Sequence, residues 1–132
     1  MLKLSVASLL LAKDQQLSRA ARLAKEVYTA NPGPVLNAAV YAYSLFRLDP
    51  SSTGAAAAAA ILDARPDADK NSEDCLVYYG LILAACNRTT EAGACFSKMN
   101  RSMLFPETLE KVRAAENAIY LKKAPAPIPP ER

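Results

Sequence analysis

Two prolines set the frame for this chain. Pro66 follows Pro32 by 34 residues, and the same step carries Ala24 onto Ala58, Val27 onto Ile61, Leu11 onto Leu45 and Ala20 onto Gly54. A third copy lies 72 residues beyond the first, its extra length falling in a polar loop over 66–74. At that offset Ala20 meets Ala92, Ala24 meets Phe96, Val27 meets Met99, Ser8 meets Gly80 and Leu11 meets Leu83. A fixed period of this length constrains the fold strongly. Each unit is one supersecondary element that cannot bury its apolar face alone, so the units must stack on one another.

Within each unit the apolar spacing is helical. Leu4, Ala7 and Leu11 share one stripe of a helix expected over 2–13, while Leu2, Ser5 and Leu9 face another way, so this helix needs covering on two sides. A second helix runs from 17 to 30 and is stopped by Asn31-Pro32-Gly33-Pro34, because a residue preceding proline is pushed out of the helical region. A third is expected over 35–48, ahead of Asp49-Pro50, and carries Tyr41, Tyr43 and Phe46. The fourth opens after Ser51-Ser52-Thr53, any of which can cap it, and contains six consecutive alanines, 55–60. Alanine has the highest helix propensity and lets neighbouring helices approach closely, so this low complexity reads as tight packing. Helices over 73–86 and 89–100 follow, with Leu76, Tyr79, Leu83 and Cys86 on one face of the former. The last begins at Pro106-Glu107, proline suiting the first helical position and an acid the positive helix start. Leu109, Val112 and Ile119 form its apolar set, with Glu110, Lys111, Arg113 and Glu116 expected outward. Residues 124–132, Ala-Pro-Ala-Pro-Ile-Pro-Pro-Glu-Arg, read as a polyproline-like, disordered tail.

The residues at the repeated positions resemble the tetratricopeptide repeat (TPR) family, whose unit is two antiparallel helices. The third copy matches most fully, with Leu76, Tyr79, Gly80 and Leu83 followed by Ala92, Phe96 and Met99. The second has Ala38, Tyr41, Ala42 and Leu45, then Gly54, Ala58, Ile61 and Pro66. The first has Leu4, Ala7, Ser8 and Leu11, then Ala20, Ala24, Val27 and Pro32. The chain departs from the family pattern in having no Trp, in Gly54 where alanine is usual, and in Leu104 where a third closing proline would fall. The resemblance implies an all-α fold, a TPR-like right-handed superhelix of antiparallel helix pairs. Its three repeats would cover about 1–34, 35–71 and 72–105, with a C-terminal capping helix over 106–123. Residues 1–123 are then one helical repeat domain.

Composition removes several function classes. The longest apolar runs fall well short of the roughly 18–20 residues needed to cross a bilayer, so no membrane role is expected. The leading apolar run could be read as a signal peptide, but it fits the first repeat helix in register, and the small residues suited to cleavage, Ser18 and Ala20, lie beyond charged residues. The net charge of +3 comes from 16 basic and 13 acidic residues interleaved along the chain, whereas nucleic-acid binding calls for a concentrated stripe. Arg19, Arg22 and Lys25 are read as a solvated outer face. Three cysteines, an odd number with no CxxC pair, point to packing residues in a reducing, cytoplasmic setting. With no histidine, a His-dependent triad is excluded and a zinc site lacks ligands. No phosphate-binding glycine loop occurs, and the acid pairs of the 67–74 loop read as solvated charge. No enzyme activity, cofactor, metal or small-molecule substrate is expected.

The family's inner-face positions, carried over residue by residue, imply a partner-binding groove. Its members include Leu9 and Lys13 in the first copy, Tyr43, Phe46 and Arg47 in the second, and Asp74, Val77 and Leu81 in the third. Apolar anchors inside a polar rim suit a peptide or helix of another protein. The carboxylate-clamp subgroup of the family is not expected, because its donor positions here hold Ser5, Leu9, Val40, Asp74 and Tyr78. Two readings of Tyr43 and Phe46 stand open at this point, groove or core. The function expected is a non-catalytic interaction scaffold or adaptor. The alternative is a structural or self-associating segment of a longer array, including a homodimer, whose inner face is covered by another copy, by upstream repeats or by its own tail.

Overall fold

A computed structural model describes residues 2–123, and among them the fold is all-helical, with no strand. The order is α1 (Leu2–Ala12), α2 (Leu17–Ala30), α3 (Val35–Leu48), α4 (Ser52–Asp63), α5 (Asp67–Lys70), α6 (Glu73–Ala85), α7 (Thr89–Lys98), a 3-10 turn (Arg101–Met103) and α8 (Pro106–Lys123). The expected tail over 124–132 lies outside the described residues.

Local chemistry accounts for the boundaries. Asn31 and Asp49, each directly before a proline, leave the helical region and end α2 and α3. The Ser51 side chain accepts the Gly54 N–H at 3.2 Å and caps α4. Asn87, at φ 65°, turns the chain between α6 and α7. The polar 67–74 loop contains the short helix α5, which the sequence reading missed. Proline at its N-terminal flank and two acids in its first turn favour that single turn.

Packing follows chain order: α1 lies on α2, α2 on α3, α3 on α4, α4 on α6 and α6 on α7, while α1, α3 and α6 also meet side by side. Small residues let them approach. Ala7, Ala20, Ala24, Ala38, Ala42, Ala58 and Ala92 are fully buried. In the third pair Phe96 replaces alanine and fills space that Gly80 leaves: a Cβ on Gly80 would lie 2.7 Å from the Phe96 ring. The corresponding pairs, Ser8 with Ala24 and Ala42 with Ala58, hold a small residue on both sides. Gly54 has its own reason for lacking a side chain, since a Cβ there would meet the Asp49 carbonyl oxygen at 1.9 Å. The turn over Asp49 and the start of α4 are therefore too close for the usual alanine.

Arginines fasten successive turns. Arg65 donates to the Pro32 carbonyl at 2.9 Å and to the Gly33 carbonyl, and pairs with Asp69 at 3.0 Å. Arg88 pairs with Asp63 at 2.9 Å and with Glu91 at 2.7 Å. Tyr79 donates its hydroxyl to the same Asp63. Burial raises the Tyr79 pKa and the carboxylate beside it raises it further, while the hydrogen bonds to Asp63 outweigh burial and hold that acid low. Cys75 and Cys95 are buried, free and packed in the core; burial pushes the Cys75 thiol up to about 12.

Candidate functional site

α1, α3 and α6 lie together on one side of the fold, called the inner face. They run in the same direction. Arg47, in the last turn of α3, reaches the Leu11 carbonyl at the end of α1, and Leu36 and Asp74, in the first turns of α3 and α6, line one cleft. The middle of this face is closed. Tyr43 of α3 packs against Tyr78 of α6 in a tilted pair with ring centroids 4.9 Å apart, and the Phe46 ring lies 6.1 Å from Tyr43. Tyr43 is only 3% exposed, and burial raises the pKa of both hydroxyls.

The closed middle leaves a cleft at each end. At the C-terminal ends of α3 and α6, a cleft of about 370 Å³ is floored by Phe46, Leu81 and Ala84 and walled by Ala115, Ala118 and Ile119 of α8. Its charged groups are cationic. Arg47 and Lys111 both border it, and both pair with one carboxylate, Asp14, Lys111 at 3.1 Å. Partial burial pushes Asp14 up, but the hydrogen bonds from Arg47 and Lys111 outweigh it and hold the carboxyl below its usual range. Arg47 also lies 5.8 Å above the Tyr43 ring. At the N-terminal ends, a cleft of about 380 Å³ is floored by Leu36, Val77 and Tyr78, bordered by Leu104, and rimmed by Glu73 and Asp74.

α8 packs on α6 and α7 and reaches back to the α1–α2 turn. Its first turns are tied to the α1–α2 turn, Lys13 to Glu107 at 2.9 Å and Lys111 to Asp14. Val112 and Ile119 are buried. Arg101 grips Glu116 with both nitrogens, at 2.6 and 2.5 Å. Lys111 and Glu116, expected to point into solvent, are therefore fastening groups.

Comparison with protein-family models, curated proteins and solved structures gives no match. The site accordingly has to be read from its own geometry.

The structure scatters the eight residues expected to line one groove over five environments. Phe46, Arg47 and Leu81 line the cationic cleft, and Asp74 and Val77 the acidic one. Leu9 is 41% exposed on α1, outside both. Lys13, expected as a free groove margin, is paired with α8. Tyr43 is core: its ring touches the edge of the cationic cleft, but Tyr78 and Phe46 enclose it, which decides between the two readings left open by the sequence. The expectation of one continuous groove is corrected for a simple physical reason. The Tyr43 and Tyr78 rings, with Phe46 beside them, fill the space between α3 and α6, and α8 covers what remains at one end. Sequence reasoning missed Lys111, Ala115, Ala118 and Ile119 as site residues. The one available signal was the alanine run 114–115 with Ala118 and Ile119 at helical spacing, a narrow small-residue stripe suited to lying close against other helices.

Proposed function

We propose that this chain is a non-catalytic protein–protein interaction scaffold, a TPR-like right-handed superhelix of three helix pairs working in the cytoplasm. In this reading α8 occupies the cationic end of the inner face and leaves the acidic end to a partner. One observation carries it: the cleft formed by Leu36, Val77, Tyr78 and Leu104 combines an apolar floor with an acidic rim, Glu73 and Asp74. That combination fits an apolar anchor flanked by lysine or arginine on a segment of another protein. The sequential pairing of the helices supports the repeat reading, and no helix among the described residues is long and apolar enough to cross a membrane.

The test is selection of random displayed peptides on the full chain. Enrichment of sequences with a basic residue beside an apolar anchor is expected. The Asp74→Lys variant, changed at an exposed position, should bind the selected peptides about tenfold more weakly at low salt, as for a lost charge pair at a rim. Selected peptides without basic residues, or equal binding by the variant, would count against the assignment.

The alternative, a self-associating segment of a longer array, is favoured by a different observation. Tyr120 and Leu121, near the end of α8, are 71% and 73% exposed and adjacent. Sedimentation over a hundredfold dilution separates the two readings: a constant monomer removes self-association, and a dimer lost in Tyr120→Ser/Leu121→Ser supports it.

A further inference from the structure

We propose that the cleft beneath α8 binds a small amphiphile, a hydrocarbon body carrying a single carboxylate. The two ends of the inner face are separated by the Tyr43–Tyr78 pair, so this site is independent of the peptide cleft and does not rest on that reading.

The shape comes first. α8 is fastened at a distance from the α3 and α6 ends by ion pairs at Glu107, Lys111 and Glu116, and it presents Ala115 and Ala118 to a floor that includes Ala84. Short side chains on both walls leave the space between them unfilled, and apolar walls without partner atoms forgo dispersion contacts that a hydrocarbon chain restores. The volume, about 370 Å³, falls in the range of small-ligand clefts, roughly 300–1,000 Å³. A helix of another protein needs about 10 Å of diameter, and α8 already occupies that room. A slender chain is the occupant that fits beneath a helix left in place.

Charge selects the head group. Arg47 and Lys111 share the one carboxylate of Asp14, each taking a different oxygen, which leaves the cluster one positive charge in excess. Lys111, which borders the cleft, has three N–H donors and spends one on Asp14, so two remain for a ligand. A monoanion neutralises that excess, whereas a phosphate dianion overshoots it and an amine is repelled. Phe46 and Leu81 then receive the hydrocarbon.

The experiment titrates decanoate, decanol and acetate separately into the full chain by calorimetry, below the micelle concentration. Decanoate should bind saturably at one site, at least about tenfold more tightly than decanol, the usual size of a charge-assisted hydrogen bond, and acetate should show no binding. Lys111→Met keeps the apolar stem and should bring decanoate down to the affinity of decanol. Ala118→Leu, at the solvent side of the wall, should abolish binding of both by filling the cleft, and Ala85→Leu does the same from the opposite wall if the first variant lowers the melting temperature. The proposal is overturned if decanoate shows no saturable binding, if decanol binds as tightly, or if both wall variants bind decanoate like the parent chain.

Discussion

The C-terminal end of α3 presents Arg47, with Lys111 added from α8; at the opposite edge the N-terminal end of α6 presents Glu73 and Asp74. Both clefts have apolar floors and nearly the same volume, about 370 and 380 Å³, so what separates them is charge and cover. Helix electrostatics explains the charge. A helix carries partial positive charge at its start and partial negative charge at its end, so acids suit the first turn and cations the last. α3 and α6 run side by side in one direction, so the acids in the first turn of α6 lie at one edge and the cation in the last turn of α3 at the other. α8 reinforces the division: Lys111 adds its cation to the rim formed by the helix ends.

The largest expected effect comes from the wall between the two ends. Tyr43 is 3% exposed beneath Tyr78 and Phe46, and Tyr43→Ala should lower unfolding free energy by about 3–5 kcal/mol, as for other buried aromatics. Urea denaturation followed by helical circular dichroism reads it. A loss under about 1 kcal/mol would show the two clefts to be one groove lined by a loosely held ring.

Ile119→Ala acts on one end alone. Its side chain is buried between α8 and the body of the fold, and removing it should cost about 2 kcal/mol, the low end for aliphatic truncation because the residue lies near a helix terminus. Amide exchange should speed up in α8 while the first turns of α3 and α6, at the acidic cleft, keep their protection. Equal acceleration at both ends would mean that α8 is integral to the whole inner face.

How much of this was legible in the chain itself depends on the range of the interaction. The helix ends at Asn31, Asp49 and Ser51 are decided by neighbours within a few residues, and proline and capping chemistry disclosed them. The all-helical class followed from the spacing of apolar residues within each segment. The site did not, because periodicity says which face of a helix is apolar and never what lies against it. Val112 and Ile119 were identifiable as the apolar set of α8, yet nothing local says that this helix reaches back to the α1–α2 turn. That contact is made by Glu107 and Lys111 meeting Lys13 and Asp14 across more than ninety residues of chain. Tyr43 was open to two readings for the same reason: the ring that encloses it, Tyr78, belongs to another unit.

Acid should loosen the covered end first. Hydrogen bonds from Lys13 and Arg101 hold Glu107 and Glu116 below their usual carboxylate range, and Asp14 is held low by Arg47 and Lys111 against the upward pull of burial. For acids whose folded pKa is depressed, the stabilisation is fully present above the unfolded values, 3.8 for Asp and 4.5 for Glu. It is lost as pH falls through the folded values. Exchange protection of α8 should therefore be constant from pH 7 to about 5 and decline below about pH 4, relative to protection in the α2–α3 core. A decline that begins near neutral pH would point to other groups as the fastening.

The smallest effect should come from the exposed ion pair at the start of α8. Lys13 and Glu107 are 2.9 Å apart, but their side chains are 45% and 38% exposed, and exposed pairs contribute between about 0 and 1 kcal/mol because water and salt screen them and two flexible side chains must be held in place. Lys13→Ala should therefore shift stability by about 0.5 kcal/mol or less, and less still in high salt. Arg101→Ala gives the internal comparison. Its partner Glu116 accepts through both carboxylate oxygens, and Arg101 also donates to the Phe96 carbonyl at 3.2 Å, so its loss should exceed that of Lys13. If the order is reversed, the start of α8 is what keeps the cationic cleft covered; if it holds, the helix is anchored mainly from its middle, and its first turn can part from α1 without unfolding the stack.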